Sequence, residues 1–405
     1  MKQSKPLGLV YAIVLIDIIA GSIMWPVWPQ FVKAYAHPEL LLALGTAIFI
    51  GIQLFTAPLL GRLSDIYGRK PVFIVSAVGT FLANLLLLPR NAFAYFSNRG
   101  ADGLTNGVYS AVRSAITDIS EEEDLMKNMG LEGTVVSLGV VLGPLVASGV
   151  LLLFGVLPEE ATTVLVATGI GISLLNIVLS IILPETIAKR VHREPGELRQ
   201  LVNRSINVAR YWKRLQVLGQ KQDGLLRVVI LQLCLTFSLG YYNYLITYIS
   251  LGSLQLTPQE ISYFFAYFGI VFLVVSYIFY SYLIQRVQPE RFLRITAALG
   301  IITHISYAFI GQAAWALYVV VTIDCLTIGL LPGIMDGLLA RYAEQDSRGE
   351  LFGITQALNG LASFGTTLVF GGLSVISLTL PFYWFALCLV PLLFPSIIKP
   401  LLATT

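Results

Sequence analysis

Long apolar runs alternate with short polar breaks along the whole chain, near residues 7–32, 39–60, 71–89, 92–117, 127–155, 162–183, 226–250, 259–284, 292–311, 314–341, 350–375 and 378–398. Each run is close to the roughly 20 residues that a helix needs to cross the hydrocarbon of a bilayer. The runs are continuous and lack a period-two alternation, which points to helices and not to barrel strands. The pattern therefore predicts an all-α integral membrane protein of twelve transmembrane helices in two six-helix bundles. These are an N-terminal bundle over 1–184, a polar linker over 185–225 and a C-terminal bundle over 226–405. The first run continues past Asp17, is too long for a cleavable signal, and is taken as the first span.

Composition sharpens this picture. Hydrophobic residues make up 56% of the 405 and charged residues only 12%, about half the charged share of a soluble domain. A net charge of +3 is too small for a nucleic-acid binder. The basic residues are unevenly placed. If both termini are cytoplasmic, twenty-three Lys and Arg fall on the cytoplasmic side and only Lys33 and Arg90 outside, with Arg99 left in the membrane. That asymmetry predicts the orientation of a multi-pass protein of the plasma membrane, the inner membrane if the cell is bacterial. Cys234, Cys325 and Cys388 lie in apolar runs without disulfide or metal-ligand spacing. No phosphate-cradling loop or HExxH pattern is present. The expectation is a non-enzyme without cofactor or metal, a monomer driven by an ion gradient or by its substrate's own gradient.

The halves resemble each other weakly. Acidic loops at Asp118–Asp124 and Glu344–Glu350 each precede a Gly-rich span, and repeated halves with a substrate between them are a transporter architecture. In the basic linker, Leu198, Leu201, Val202, Ile206, Ala209, Trp212 and Leu215 recur at helical spacing. They predict either an amphipathic helix on the inner leaflet or a plain tether.

After the second run comes Gly61-Arg-Leu-Ser-Asp65-Ile-Tyr-Gly68-Arg69-Lys70. It resembles the loop signature G-x-L-(A/S)-D-R-x-G-R-(K/R) of the major facilitator superfamily, with Ile66 in place of the first Arg. Gly61 and Gly68 suit close helix approach or unusual dihedrals. The resemblance implies a conformational latch, with Asp65 capping the eleventh span near Gly349 and Arg69 pairing with Asp118. The fifth run carries Gly130-x8-Gly139-x3-Gly143-Pro144, then Ala147-Ser148. It is similar to the family's antiporter signature G-x8-G-x3-G-P-x2-G-G. Small residues in helical register also serve ordinary helix packing, so both readings stand.

Charges inside a membrane carry the strongest functional weight, because each is costly in hydrocarbon. Asp17 is followed by Pro26 and Pro29, a spacing that resembles the first helix of twelve-span drug:proton antiporters such as the tetracycline exporters. Arg99 and Gly103 match the family's R-x-x-x-G element, with Asp102 where Gln is usual. An i,i+3 Arg–Asp pair faces one way on a helix. It is either a neutralising structural pair or part of a proton-coupling network with Asp17. Asp324 is a mid-membrane carboxylate of the second half, while Asp336 and Arg341 near the cytoplasmic end suit a latch. Trp25, Gln232, Tyr241, Asn243, Tyr244, Phe265 and Phe268 are candidates for a π-rich substrate cavity, which suits flat or amphiphilic molecules. The resemblance implies proton-coupled export of a small lipophilic organic compound by alternating access, with Asp17, Arg99, Asp102 and Asp324 as coupling candidates. The alternatives are a metabolite uniporter or proton symporter, and a lipid flippase of the same fold.

Overall fold

The computed structural model describes residues 4–187, 208–221, 224–283, 289–341 and 348–394. All regular structure among the described residues is helical. Eight described helices are long and apolar enough to cross a membrane. The other four expected spans are helical too but fall short of that measure. They correspond to Arg69–Leu85, to Ala92–Thr105 with Tyr109–Ile119, to Pro289–Tyr307, and to the short apolar stretch Leu380–Leu393. Length and charge explain the shortfall: the second is cut at 106–108, and the third begins Pro-Glu-Arg-Phe-Leu-Arg.

The described chain divides into two compact units, 1–206 with 256–266, and 207–255 with 267–405. In the first, the helices are α1 (Ser4–Ser22), α2 (Trp28–Val32), α3 (Pro38–Tyr67), α4 (Arg69–Leu85), α5 (Ala92–Thr105), α6 (Tyr109–Ile119), α7 (Glu122–Leu153) and α8 (Ala161–Ile182). In the second they are α9 (Val208–Lys221), α10 (Leu225–Leu239), α11 (Tyr241–Leu251), α12 (Pro258–Ile278, whose first turns belong to the first unit), α13 (Pro289–Tyr307), α14 (Ala314–Leu326), α15 (Leu331–Arg341), α16 (Arg348–Ile376) and α17 (Leu380–Leu389). Of the linker's apolar positions, 198–206 lie outside the described residues, as do 342–347 of the second acidic loop. The rest form α9, which packs on α10 and α16 with Leu215 buried.

Within the first unit α1 lies against α7 and α8. The seam with α7 depends on glycine. A Cβ at Gly139 would meet Ile18 Cβ at 2.8 Å, and one at Gly143 would run into Ser22 Oγ and reach the Ile23 amide nitrogen at 2.9 Å. Ser22 Oγ donates across this seam to Gly139 O at 3.2 Å. Two backbones are thus brought into direct apposition, as small residues allow in membrane helices. Past the seam, Pro26 and Pro29 remove backbone donors, and the first span changes from α1 through a short 3-10 turn at Trp25–Val27 into α2.

The seam predicts a specific cost. Gly143→Ala should lower thermal stability in detergent by about 1–3 kcal/mol, the usual range for overpacking. Gly149→Ala, where an added Cβ meets nothing within 4 Å, should leave the melting temperature unchanged or slightly higher. Equal melting temperatures for the two variants would refute the glycine seam.

Candidate functional site

Among the described residues three aspartates are buried in helices, and each meets a different solution to the problem of its charge. Asp17, on α1, is 6% exposed. Asn176 Nδ2 of α8 donates to its Oδ1 at 3.1 Å, and Tyr109 Oη of α6 donates to its Oδ2 at 3.4 Å. Both donors are neutral. A cavity of about 10 Å³, lined by Asp17, Asn176, Tyr109, Ser76 and apolar side chains, adjoins the carboxylate. That is about the space one water needs.

Asp102, on α5, is neutralised within its own helix. Arg99 Nη2 donates to its Oδ2 at 2.8 Å, and Asn106 Nδ2 to its Oδ1 at 3.3 Å. Arg99 is itself 6% exposed, donates through Nε to Asn98 Oδ1 at 3.1 Å, and has the Trp28 and Phe49 rings 4.4 and 4.8 Å from its Cζ. Aromatic faces replace part of the hydration that a buried cation loses. Arg99 is therefore matched to Asp102 and not to Asp17 in this structure. Phe49 gave no signal in the sequence, nor did Tyr109. Asn176 did: it is a lone amide in an otherwise apolar run, and polar groups in such runs are functional or paired by default.

Asp324, on α14, is fully buried. Its Oδ2 accepts from Tyr241 Oη of α11 and from Tyr307 Oη of α13, the latter at 3.3 Å. Its Oδ1 has no hydrogen-bond partner. His304 lies 4.6 Å from the Tyr241 ring, centroid to centroid, and shares a 2.9 Å hydrogen bond with Ser238 Oγ. Of the residues expected in a cavity, Tyr241 and Tyr244 are buried among Phe370, Phe382 and Phe385. Asn243 is exposed. Phe268 stacks on Tyr242, with centroids 5.5 Å apart, and Trp25 meets Phe265 edge-on at 5.7 Å within the first unit. Gln232 is buried and donates to Asp336 Oδ1 at 2.9 Å.

Each buried aspartate lies within two turns of an interruption in its helix. α1 ends five residues after Asp17, α5 three after Asp102 and α14 two after Asp324. Interrupted helices free backbone groups that hydrocarbon cannot satisfy, so such backbone is confined to protein interiors and cavities.

At the α3–α4 turn the loop motif forms a tight cluster. Gly68 has φ 109°, a region that L side chains avoid. Arg69, 5% exposed, donates to Ser64 Oγ at 2.7 Å, to Asp65 Oδ1 at 2.5 Å and to Asp118 Oδ2 at 2.8 Å. Its amide N–H donates to Glu185 Oε1 at 2.8 Å, so Glu185 caps α4 from beyond the end of α8. Sequence reasoning missed Glu185. Gly130 of the α7 motif faces open space, unlike Gly139 and Gly143, and Pro144 is carried inside the helix.

The family model of the Major Facilitator Superfamily matches residues 10–367. Hippocampus abundant transcript-like protein 1 of Mus musculus is 23% identical over 323 residues, covering 77% of this chain and 59% of that protein. Tetracycline resistance protein, class H, of Pasteurella multocida is 28% identical over 151 residues, covering 35% of this chain and 37% of that protein. The matched regions thus span less than two thirds of either relative. The crystal structure of the human organic anion transporter MFSD10 (TETRAN) is 18% identical, covers 97% of this chain and 99% of its own, and superposes with a TM-score of 0.64. At that identity the likeness shows the fold alone.

The Arg69 cluster predicts a graded response. Asp118→Asn leaves a buried guanidinium short of a charged partner and should cost about 2–3 kcal/mol of thermal stability, reduced from the fully buried case because Asp118 is partly exposed. Asp124→Asn breaks only the exposed pair with Lys127 and should stay within about 0.5 kcal/mol of the parent. A melt in which both variants match the parent would show that the cluster contributes no stability.

Proposed function

The chain belongs to the Major Facilitator Superfamily, and from that premise we propose that it is a secondary transporter, not an enzyme, which exports a small lipophilic or amphiphilic organic compound in exchange for protons. Its eight apolar helices and its family make it a multi-pass membrane protein. The Lys and Arg distribution supports cytoplasmic placement of both termini. The similarity to tetracycline resistance proteins supports export. The exposed Asn243 and the Tyr242–Phe268 stack of the second unit suit a flat organic substrate.

One observation carries the coupling role: Asp17 is buried with neutral donors only, whereas Arg99 is already matched by Asp102. A proton arriving at Asp17 neutralises a charge that no hydrogen-bonded cation among the described residues balances. A carboxylate with neutral partners thus exchanges charge with the aqueous phase, while the Arg99–Asp102 pair stays neutral and fixes the local field. Alternating access would load Asp17 from outside and unload it to the cytoplasm, with substrate moving the other way. Competition between proton and substrate for one conformational equilibrium is what links the two fluxes.

The test is flux. In proteoliposomes holding a fluorescent planar dye, an acid exterior should drive uphill export of the dye by the native chain. Asp17→Asn should abolish that uphill component while downhill equilibration persists. If the Asn variant still concentrates dye against its gradient under ΔpH alone, Asp17 is not the coupling carboxylate.

A further inference from the structure

The first unit gathers more oxygen atoms near Asp17 than its two donors account for. α4 packs against α8, and each brings a buried polar side chain to this point. Asn176 of α8 is 2% exposed and Thr80 of α4 is 4% exposed. Thr80 lies beside the same carboxylate that Asn176 binds. Neither Asn176 Oδ1 nor Thr80 Oγ1 has a hydrogen-bond partner. Buried polar atoms without partners are uncommon in folded proteins, and a water or an ion is the usual reason for them.

The hydrogens of this cluster are directed elsewhere or onto Asp17 itself. Ser76 Oγ of α4 donates to the Thr105 carbonyl at 2.8 Å, Tyr109 Oη to Asp17 Oδ2 at 3.4 Å and Asn176 Nδ2 to Asp17 Oδ1 at 3.1 Å. Asp17, Ser76, Tyr109 and Asn176 also line the cavity of about 10 Å³, so what they turn toward it is mainly oxygen lone pairs. The charged and titratable groups facing the carboxylate are Tyr109 of α6 and Asp102 of α5, the latter held by Arg99. Glu132 of α7 stands behind Tyr109 and is paired with Arg113. α4 and α8 contribute only hydroxyls and an amide here. No ion pair among the described residues includes Asp17.

The occupant that suits such a place follows from charge, donor type and size. A water brings hydrogens but leaves the carboxylate's charge in place. A divalent cation replaces one uncompensated charge by another of opposite sign, which is as costly in these surroundings. A hard monovalent cation cancels the charge and takes oxygen ligands. Space for about one water favours sodium over the larger potassium. We propose that Asp17, Asn176, Ser76 and Thr80 form a binding site for a dehydrated sodium ion between α1, α4 and α8. Sodium and a proton exclude each other there, because either one neutralises the same carboxylate. The site shares that carboxylate with the proposed proton exchange, and it stands whether or not the exchange drives flux.

The test measures binding on the full chain in lipid nanodiscs and needs no organic substrate. Equilibrium binding of radioactive sodium should saturate near about one ion per chain, and sodium chloride should raise the melting temperature above that in choline or potassium chloride at equal ionic strength. Where the proton occupies Asp17, sodium affinity should fall about tenfold for each unit of pH decrease, as for any cation whose ligand must lose a proton. Asp17→Asn should abolish sodium binding. Thr80→Val keeps the shape, removes one oxygen and should weaken binding about tenfold or more, which carries the test if Asp17→Asn folds poorly. Ser180→Ala, one turn from Asn176 and outside the cavity lining, should bind sodium as the native chain does. Potassium acting as well as sodium, no retained sodium, or native affinity in Thr80→Val each overturns the proposal. A native chain that retains no sodium yet exports dye under ΔpH would leave the proton exchange standing. Sodium retained without ΔpH-driven export would leave this site and remove the exchange.

Discussion

Burying a carboxylate away from water is tolerable only if something nearby takes the place of hydration, and much of this protein's interior is arranged around that requirement. The three buried aspartates meet it with an amide and a phenol at Asp17, a guanidinium at Asp102 and two phenols at Asp324. These are not equivalent. A guanidinium cancels charge and fixes the pair as a unit, whereas neutral donors spread charge without cancelling it. The first kind is balanced without a proton, whereas the second becomes neutral only by taking up a proton or another small cation.

The same economy applies to the backbone. A continuous helix satisfies its own amides, and a broken one exposes several of them. The breaks after α1, α5 and α14 lie beside the buried aspartates, so polar side chains and freed backbone are gathered in the same places. Elsewhere helices meet through glycine, as at the α1–α7 seam, and through single polar bridges such as Asn84 to Ser173 and Tyr95 to the Leu42 carbonyl.

How much of this was legible depended on distance along the chain. Asp17, Arg99 and Asp102 stood out because charge in an apolar run is improbable, and the Arg99–Asp102 pair follows from i,i+3 geometry alone. The Arg69–Asp118 pair was accessible through the loop motif. By contrast, Asn176 meets Asp17 across 159 positions and Glu185 meets Arg69 across 116. Neither pairing follows from periodicity, because which residue faces which across a bundle is decided by packing. The twelve runs were visible as hydropathy. Their interruptions were only half visible: Pro26 and Pro29 announced one, but the cuts at 106–108 and Thr327 arise where side chains and carbonyls compete for partners, which composition does not record. Tyr241 and Tyr244 looked like a cavity wall and lie instead in a packed aromatic cluster, since a tyrosine with a buried acceptor has little reason to face open space.

Glu185 has a consequence for biosynthesis. The turn at 61–70 leaves the ribosome long before the residues that complete it: Asp118 follows about fifty positions later, and Glu185 nearly seventy after that. Until the sixth apolar stretch has been made, the amide that starts α4 lacks the carboxylate that holds it here, and until the fourth has been made Arg69 has only its near neighbours Ser64 and Asp65. The last contact of the cluster thus coincides with the end of the first half of the chain. Residue 185 works as a clasp that can shut only when all six stretches of that half are present, before the second half has begun to be synthesised.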